Sequence, residues 1–349
     1  MRSVCDLTGA VAIRMLLSNS IIAVVRIAIL GTGGVGGYFG ARLAASGTDV
    51  AFIARGAHLK ALQTDGLRLI SPKGDLHLER VVATDDPAVV GPADVVFFTV
   101  KLYDSDSACA ALQPLIGPET VVVTFQNGID SVDRLTAAVG REHVAGGVAH
   151  VQAAIEKPGV IRHTALDLLI FGELDGTRSR RLQELHERCM GAGFDAKLAD
   201  RIQDELWLKY VRLTSLSGMM AATRSPLGVI RDDEDLWAML QAAIMEAMAV
   251  AHAKGIQFAP NALSDMLRHI GGMPAHAKSS MLEDLEHGRR LELPWLNTTL
   301  VRIAEEAGVS TPTHRFIATV LRPFVGGQPA PRAAAKAAEP LRMNLSKSK

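Results

Sequence analysis

A glycine-rich turn set between a buried strand and a helix constrains this chain more than any other feature. Residues 24–55 read VVRIAILGTGGVGGYFGARLAASGTDVAFIAR. Val24 to Leu30 is aliphatic on both faces except at Arg26 and Ala28, the pattern of a strand covered by helices on both sides. Gly31-Thr32-Gly33-Gly34-Val35-Gly36 follows and spells G-x-G-x-x-G. Gly31 suits the tight turn, Gly33 the close approach of backbone to a pyrophosphate, and Gly36 the packing of helix on strand. The helix from Gly34 to Ser46 then aims its free amides and its dipole at the phosphates. A second strand, Asp49 to Ala54, completes a βαβ unit. The glycines alone would describe an ordinary strand-to-helix turn; with both flanking strands they predict a dinucleotide site made by Gly31, Thr32, Gly33, Gly34, Val35 and Gly36.

The residue after that second strand selects the cofactor. An acid there holds a ribose 2′-hydroxyl, whereas a 2′-phosphate calls for a cation. This chain has Arg55 and no acid, and a guanidinium forks onto phosphate. NADPH is the expected cofactor.

Alternating elements continue beyond the βαβ unit, as a doubly wound sheet demands. Ala93 to Lys101 reads as a strand, Asp104 to Ile116 as a helix, Thr120 to Gly128 as a strand, and Asp130 to Val139 as a helix. Gly159 to Gly176 reads as paired antiparallel strands closing the sheet, with an amphipathic helix between Ser179 and Gly191. From about Ala199 the apolar residues recur at three- and four-residue steps, the period of packed helices. Gly255 has the form of a helix C-cap and Gly288 that of a turn between helices. The expectation is an α/β protein: an N-terminal Rossmann-type doubly wound domain over 24–198, followed by an all-helical domain over 199–327. Residues 1–23 read as an N-terminal extension without a clean signal-peptide pattern, and 328–349, rich in Ala, Pro and Lys, as a flexible tail.

Composition narrows the partners. Lys plus Arg and Asp plus Glu both total 37, so no basic excess is available to hold a polyanion, and nucleic acid is excluded as an expected partner. No uninterrupted apolar run reaches membrane-spanning length, so no membrane partner is expected. Three cysteines, Cys5, Cys109 and Cys189, stand far apart without a C-x-x-C pair, consistent with a reducing cytoplasm. The eleven histidines show no ligand spacing, so no metal site is expected; His163 and His252 read as structural or exposed.

Candidate chemistry sits at strand ends and in the helical half. Lys101 ends FFTVK and Asn127 precedes a glycine in FQNG, each polar at the end of an apolar strand. Asn127 offers a donor and an acceptor, although Asn-Gly is also ordinary turn chemistry. Reduction of a carbonyl needs a proton donor beside the oxygen. In DELWLKY, Glu205 and Lys209 share one helix face; they make either a surface ion pair or, were Lys209 buried, a general acid with its pKa lowered towards neutrality. Glu292, within GRRLELPWLN, reads as a buried carboxylate or as an exposed charge after the Gly288 turn. Ser279 and Ser280 suit a helix N-cap, and a hydroxyl there can also meet a carboxylate.

Several stretches, in order from about residue 25 to 326, resemble the ketopantoate reductase family: ILGTGGVGGYFGARLA, FFTVK, FQNG, IEKPGVIRH, ELWLK, TRSPLGVIR, SSMLEDLEHGRRLEL and the following LN. The resemblance implies NADPH-dependent reduction of 2-dehydropantoate to pantoate, a step of pantothenate synthesis. It makes Lys209 the proton donor and sets Asn127 against both cofactor and substrate, with Lys101 in the same pocket. Ser280 corresponds to the hydroxyl that binds substrate carboxylate. Glu292 corresponds to the acid near the nicotinamide ribose and substrate, serving cofactor and catalysis alike.

The departures fall where substrate is read. Leu213 and Leu227 stand where the family carries asparagine, Ser217 replaces a further one and remains a candidate substrate contact, and Pro294 stands where Asp is frequent. A site lacking those amides discriminates less well for pantoate's hydroxyls. Reduction of another 2-oxo acid, or a hydroxy acid or opine dehydrogenase on the same fold, therefore stays open, as does a non-catalytic NADPH sensor. The apolar helix from Leu236 to Ala253 suits either burial or a homodimer interface.

Overall fold

The structure is a computed structural model and describes residues 25–327; the expected extension over 1–23 and tail over 328–349 lie outside the described residues. The chain divides into two compact units: residues up to Gln126 together with Ser131–Ile202, and Asn127–Asp130 together with the chain from Gln203 onward.

The first unit is built on one mixed sheet of ten strands: β1 (Arg26–Leu30), β2 (Asp49–Ile53), β3 (Leu67–Ile70), β4 (Leu76–Leu78), β5 (Val82–Thr84), β6 (Val95–Phe98), β7 (Val121–Thr124), β8 (Val144–Lys157), β9 (Val160–Glu173) and β10 (Asp195–Leu198). Their order is β4-β3-β9-β8-β7-β6-β1-β2-β5, with β10 pairing on β9. From β5 across to β8 the strands run parallel, and the ladders of β8 with β9 and of β3 with β4 are antiparallel. Six helices accompany them: α1 (Gly34–Ala45), α2 (Gly56–Asp65), α3 (Pro87–Val90), α4 (Ser105–Ala110), α5 (Ser131–Val139) and α6 (Arg180–Gly191).

Strands β1, β6 and β7 are aliphatic or aromatic at nearly every position because neither face meets water. Ile27, Ile29, Val96, Phe97, Val121 and Val123 are fully buried. Chain order reverses at β1, with β2 on one side and β6 on the other, so the carboxyl end of β1 is a topological switch point, where open α/β sheets bind ligands.

Three expectations change. Gly159 to Gly176 is not a strand pair: it is largely the single strand β9, whose antiparallel partner is the preceding β8. Gly159, at φ +77°, makes the connecting turn, so the hairpin tip lies at the start of that stretch. The helix expected over Asp104 to Ile116 ends at Ala110 and gives way to a 3-10 turn at Gln113–Leu115, where Pro114 withdraws a donor. The strand expected over Thr120 to Gly128 stops at Thr124, leaving Gln126 and Asn127 beyond the ladder.

The second unit is helical: α7 (Ile202–Thr223), α8 (Leu227–Asp232), α9 (Glu234–Ala253), α10 (Ala262–Gly271), α11 (Ser280–Glu286), α12 (Thr299–Glu306) and α13 (Pro312–Leu321), with a π-helical turn at Pro294–Thr298. Gly255 at φ +84° stops the chain after α9, and Gly288 at φ +64° turns it after α11. Among the described residues α9 alone is long and apolar enough to cross a membrane. Its Leu240, Ala243, Ile244, Ala247, Val250 and Ala251 are buried in the unit's own core.

Candidate active site

The glycine-rich turn takes the shape its spacing demands. Gly31 adopts φ +105°, and a Cβ there would stand 2.6 Å from the Val100 nitrogen. A Cβ on Gly36 would lie 2.5 Å from the Gly31 carbonyl and 2.7 Å from Ile29 Cγ2, so only glycine lets α1 settle on β1. Gly33 differs: nothing lies within 4 Å of its Cβ position, and it opens α1 without a side-chain cap. Open space above Gly33 and uncapped amides in the first turn fit a pyrophosphate. A Cβ on Gly34 would strike the Ala153 carbonyl, whereas half-buried Val35 packs on the sheet core.

Thr32 serves the loop from beneath. Its buried Oγ1 donates to the Ile53 carbonyl at 3.1 Å, which also accepts the amides of Gly31 and Thr32. Thr99, which the sequence reading overlooked, donates its hydroxyl to the Gly31 carbonyl at 2.8 Å. Both bonds are long-range, and a lone threonine after a strand carries no sequence signal for them. Arg55 follows β2 and precedes the first turn of α2, exposed. Lys101 is exposed beyond β6 at the start of a 3-10 turn, on the sheet edge that carries the glycine-rich turn beyond β1.

In the helical unit, α7 carries Lys209 and the segment before the π-turn carries Glu292. Burial pushes the Lys209 ammonium down from 10.5 to about 8; Arg212 one turn along pushes the same way, while Glu292 opposes both. Part of the Lys209 surface still meets solvent. Glu292 is 6 % exposed, which settles it as a buried carboxylate. Asn127 Nδ2 donates to Glu292 Oε2 at 3.5 Å, at the long limit of a hydrogen bond. Lys209, Glu292 and Asn127 are thus assembled from three separate stretches of chain.

The other expected residues have these surroundings. Ser280 is the exposed first residue of α11, whose N-cap is Ser279, accepting from the Leu282 amide at 3.2 Å. Ser217 is 1 % exposed and donates its hydroxyl to the Leu213 carbonyl one turn back. Leu213 is half-buried against the helical core, and Leu227 is fully buried with its amide on the Ala277 carbonyl. His163 is buried between the Ser71 hydroxyl and the Leu166 carbonyl, and His252 is exposed. Arg212, unremarked in the sequence, is the cation whose field acts on Lys209; its i, i+3 spacing from the lysine was the available signal.

These features coincide with a known family along nearly the whole described chain. The family described as "Ketopantoate reductase PanE/ApbA" matches residues 27–176, and "Ketopantoate reductase PanE/ApbA C terminal" matches residues 201–324. The chain belongs to the ketopantoate reductase family. A relative from Mesorhizobium japonicum named 2-dehydropantoate 2-reductase is 32% identical over 318 residues, covering 85% of this chain and 97% of its own. The crystal structure of 2-dehydropantoate 2-reductase from Geobacter metallireducens GS-15 superimposes with a TM-score of 0.81 at 30% identity, covering 85% of this chain and 99% of that one. D-mandelate dehydrogenase, solved with NADH and anilino(oxo)acetate, shares the fold at 20% identity with a TM-score of 0.80, covering 86% and 98%. As a ketopantoate reductase family member the chain is an oxidoreductase by descent, and its fold, a mixed-sheet domain followed by a helical one, is the family's.

Proposed function

We propose that this protein reduces 2-dehydropantoate to pantoate with NADPH. The observation that carries the reading is the trio of Lys209, Glu292 and Asn127, with the lysine brought down to about 8 on a chain of this family. A lysine at that value is protonated for much of the neutral range yet gives up its proton readily, as a general acid should.

When bound, the nicotinamide supplies the hydride that goes to C2 of the substrate. Lys209 Nζ donates a proton to the ketone oxygen as charge develops there, becomes the neutral amine, and takes a new proton from solvent. Glu292 favours the charged form of Lys209 before that step, and the Asn127 amide orients Glu292. Arg55 pairs with the 2′-phosphate, the first-turn amides of α1 and the open face of Gly33 receive the pyrophosphate, and Lys101 and Ser280 meet the anionic groups of cofactor and substrate. Lys209→Ala should reduce turnover by several hundredfold with NADPH affinity retained; full turnover would refute the assigned role.

A second substrate reading draws on α7. Leu213 offers an aliphatic side chain where an amide would bind hydroxyls, and the Ser217 hydroxyl is committed to its own helix. Another, less hydroxylated 2-oxo acid fits that face. Consumption of NADPH with ketopantoate, beside NADH and a panel of branched 2-oxo acids, separates the two. We infer a cytoplasmic enzyme, since Cys109 and Cys189 are free thiols. We also infer a homodimer that covers the outward face of α9, where Ala238, Met239, Ala242, Met245 and Ala249 are exposed without a charge among them.

A further inference from the structure

Lys209 and Glu292 act on one another from distant parts of the sequence, so something other than the two reacting groups must hold their segments in register. The residues beside them are built for that task. Tyr210 follows Lys209 but points into the helical core. It is 1 % exposed, and its Oη donates to the Leu296 carbonyl in the π-turn at 2.7 Å. Asn297, the next residue of the turn, is fully buried and answers in the opposite sense: its Nδ2 donates to the Thr214 carbonyl of α7 at 3.1 Å.

Tyr210 and Thr214 are one helical turn apart on α7, and Leu296 and Asn297 are neighbours in the π-turn. Two crossed bonds of this kind fix both the height and the rotation of α7 against the segment that carries Glu292. Burial pushes the Tyr210 hydroxyl well above its ordinary range, so it remains a protonated donor.

Three further observations concern the joint. The turn is wide: the Thr298 amide reaches back five residues to the Leu293 carbonyl, and Thr299 Oγ1 satisfies the Pro294 carbonyl at 2.9 Å. The extra residue of the wide turn directs Asn297 at α7. Gly218, within α7, is where a Cβ would come 2.6 Å from Asn297 Nδ2, so a glycine is kept in a helix interior to admit the amide. Asn297 Nδ2 also stands 3.1 Å from His314 Nδ1, and His314 Nε2 stands 2.8 Å from the Ala243 carbonyl, which ties the joint to α13 and α9.

We propose that Tyr210 and Asn297 are positioning residues, a two-point clamp that holds the lysine-bearing helix to the π-turn and so keeps the proton donor in the field of Glu292. The proposal rests on Lys209 as the proton donor. Tyr210→Phe tests it without loss of the fold, because the Leu296 carbonyl keeps the Thr299 amide and the ring keeps its edge contact with Trp207 at 5.6 Å. Gly218→Ala displaces Asn297 from the other side. Ile270→Val, a buried change in the same unit, is the control for loss of stability alone.

Steady-state rates of all four proteins are measured from pH 6 to 10 with NADPH and the 2-oxo acid turned over by the wild type. For both clamp variants kcat should fall about tenfold, the alkaline limb should move by at least about half a pH unit, and KM for NADPH should stay within about twofold. Ile270→Val should leave rate and limb unchanged. Clamp variants with kcat within twofold and an unmoved limb, or a control that reproduces their loss, overturn the proposal. A wild-type profile without any alkaline limb sinks the reading of Lys209 as well, so the two failures are distinguishable.

Discussion

Replacing Glu292 by glutamine removes a carboxylate that holds the Lys209 proton in place against burial and Arg212. An opposite charge within about 4–6 Å shifts a pKa by roughly one to three units, and the partial exposure of Lys209 puts the effect at the lower end. In Glu292→Gln the lysine should therefore fall from about 8 to about 7. Reduction needs the protonated lysine, so the rate falls as pH rises through that value, and the variant should lose its rate earlier. At pH 7.5 a group at about 8 is roughly three-quarters protonated and one at about 7 roughly one-quarter, a loss of about threefold from protonation alone. At pH 6 both proteins are protonated and that part of the loss disappears. The assay is kcat/KM for the 2-oxo acid from pH 5.5 to 9.5 at saturating NADPH. Whatever deficit persists at pH 6 measures contact between Glu292 and substrate or cofactor. An alkaline limb that stays put in the variant, or moves to higher pH, would refute the electrostatic reasoning.

Further outcomes follow from the same geometry. Arg55→Ala should weaken NADPH binding by about ten- to a hundredfold in a fluorescence titration and leave NADH binding within twofold, since only the 2′-phosphate loses its partner. Gly33→Ala and Gly36→Ala should separate binding from folding. The first adds a methyl into open space and should raise the NADPH dissociation constant with little change in thermal midpoint. The second drives a methyl into the Gly31 carbonyl and Ile29 and should cost about 2 kcal/mol or more of stability. Met245→Glu should turn a dimer into a monomer by light scattering after size exclusion, with the helical content unchanged; a wild-type protein already monomeric at micromolar concentration would dismiss the α9 interface.

Much of the fold was legible because its signals are local. The strand, glycine turn and helix from Val25 to Ala45 announce themselves by residue type and spacing, and the roles assigned to Gly31, Gly33 and Gly36 match the space around each one. Helical period marked the start of the helical unit near Ala199 and outlined α9 nearly to its ends. The pairing of β8 with β9 was misread because alternation within a strand does not name its partner; only the turn at Gly159 does. The short strands β3, β4 and β5 escaped notice because three or four residues are too few to show a period.

The candidate site divides along the same line. Residue type and position made Lys209, Glu292, Asn127 and Arg55 candidates, and only the family resemblance gave Lys209 and Glu292 roles over the ion-pair and exposed-charge alternatives. Tertiary structure alone decided that Asn127 meets Glu292, that Glu292 is buried, that Lys209 is driven down to about 8, and that Ser217 spends its hydroxyl on its own helix. It alone placed Tyr210 and Asn297 across from one another. Each of these depends on contacts between residues distant in sequence and on water excluded by packing, and neither leaves a mark in the spacing of a single stretch.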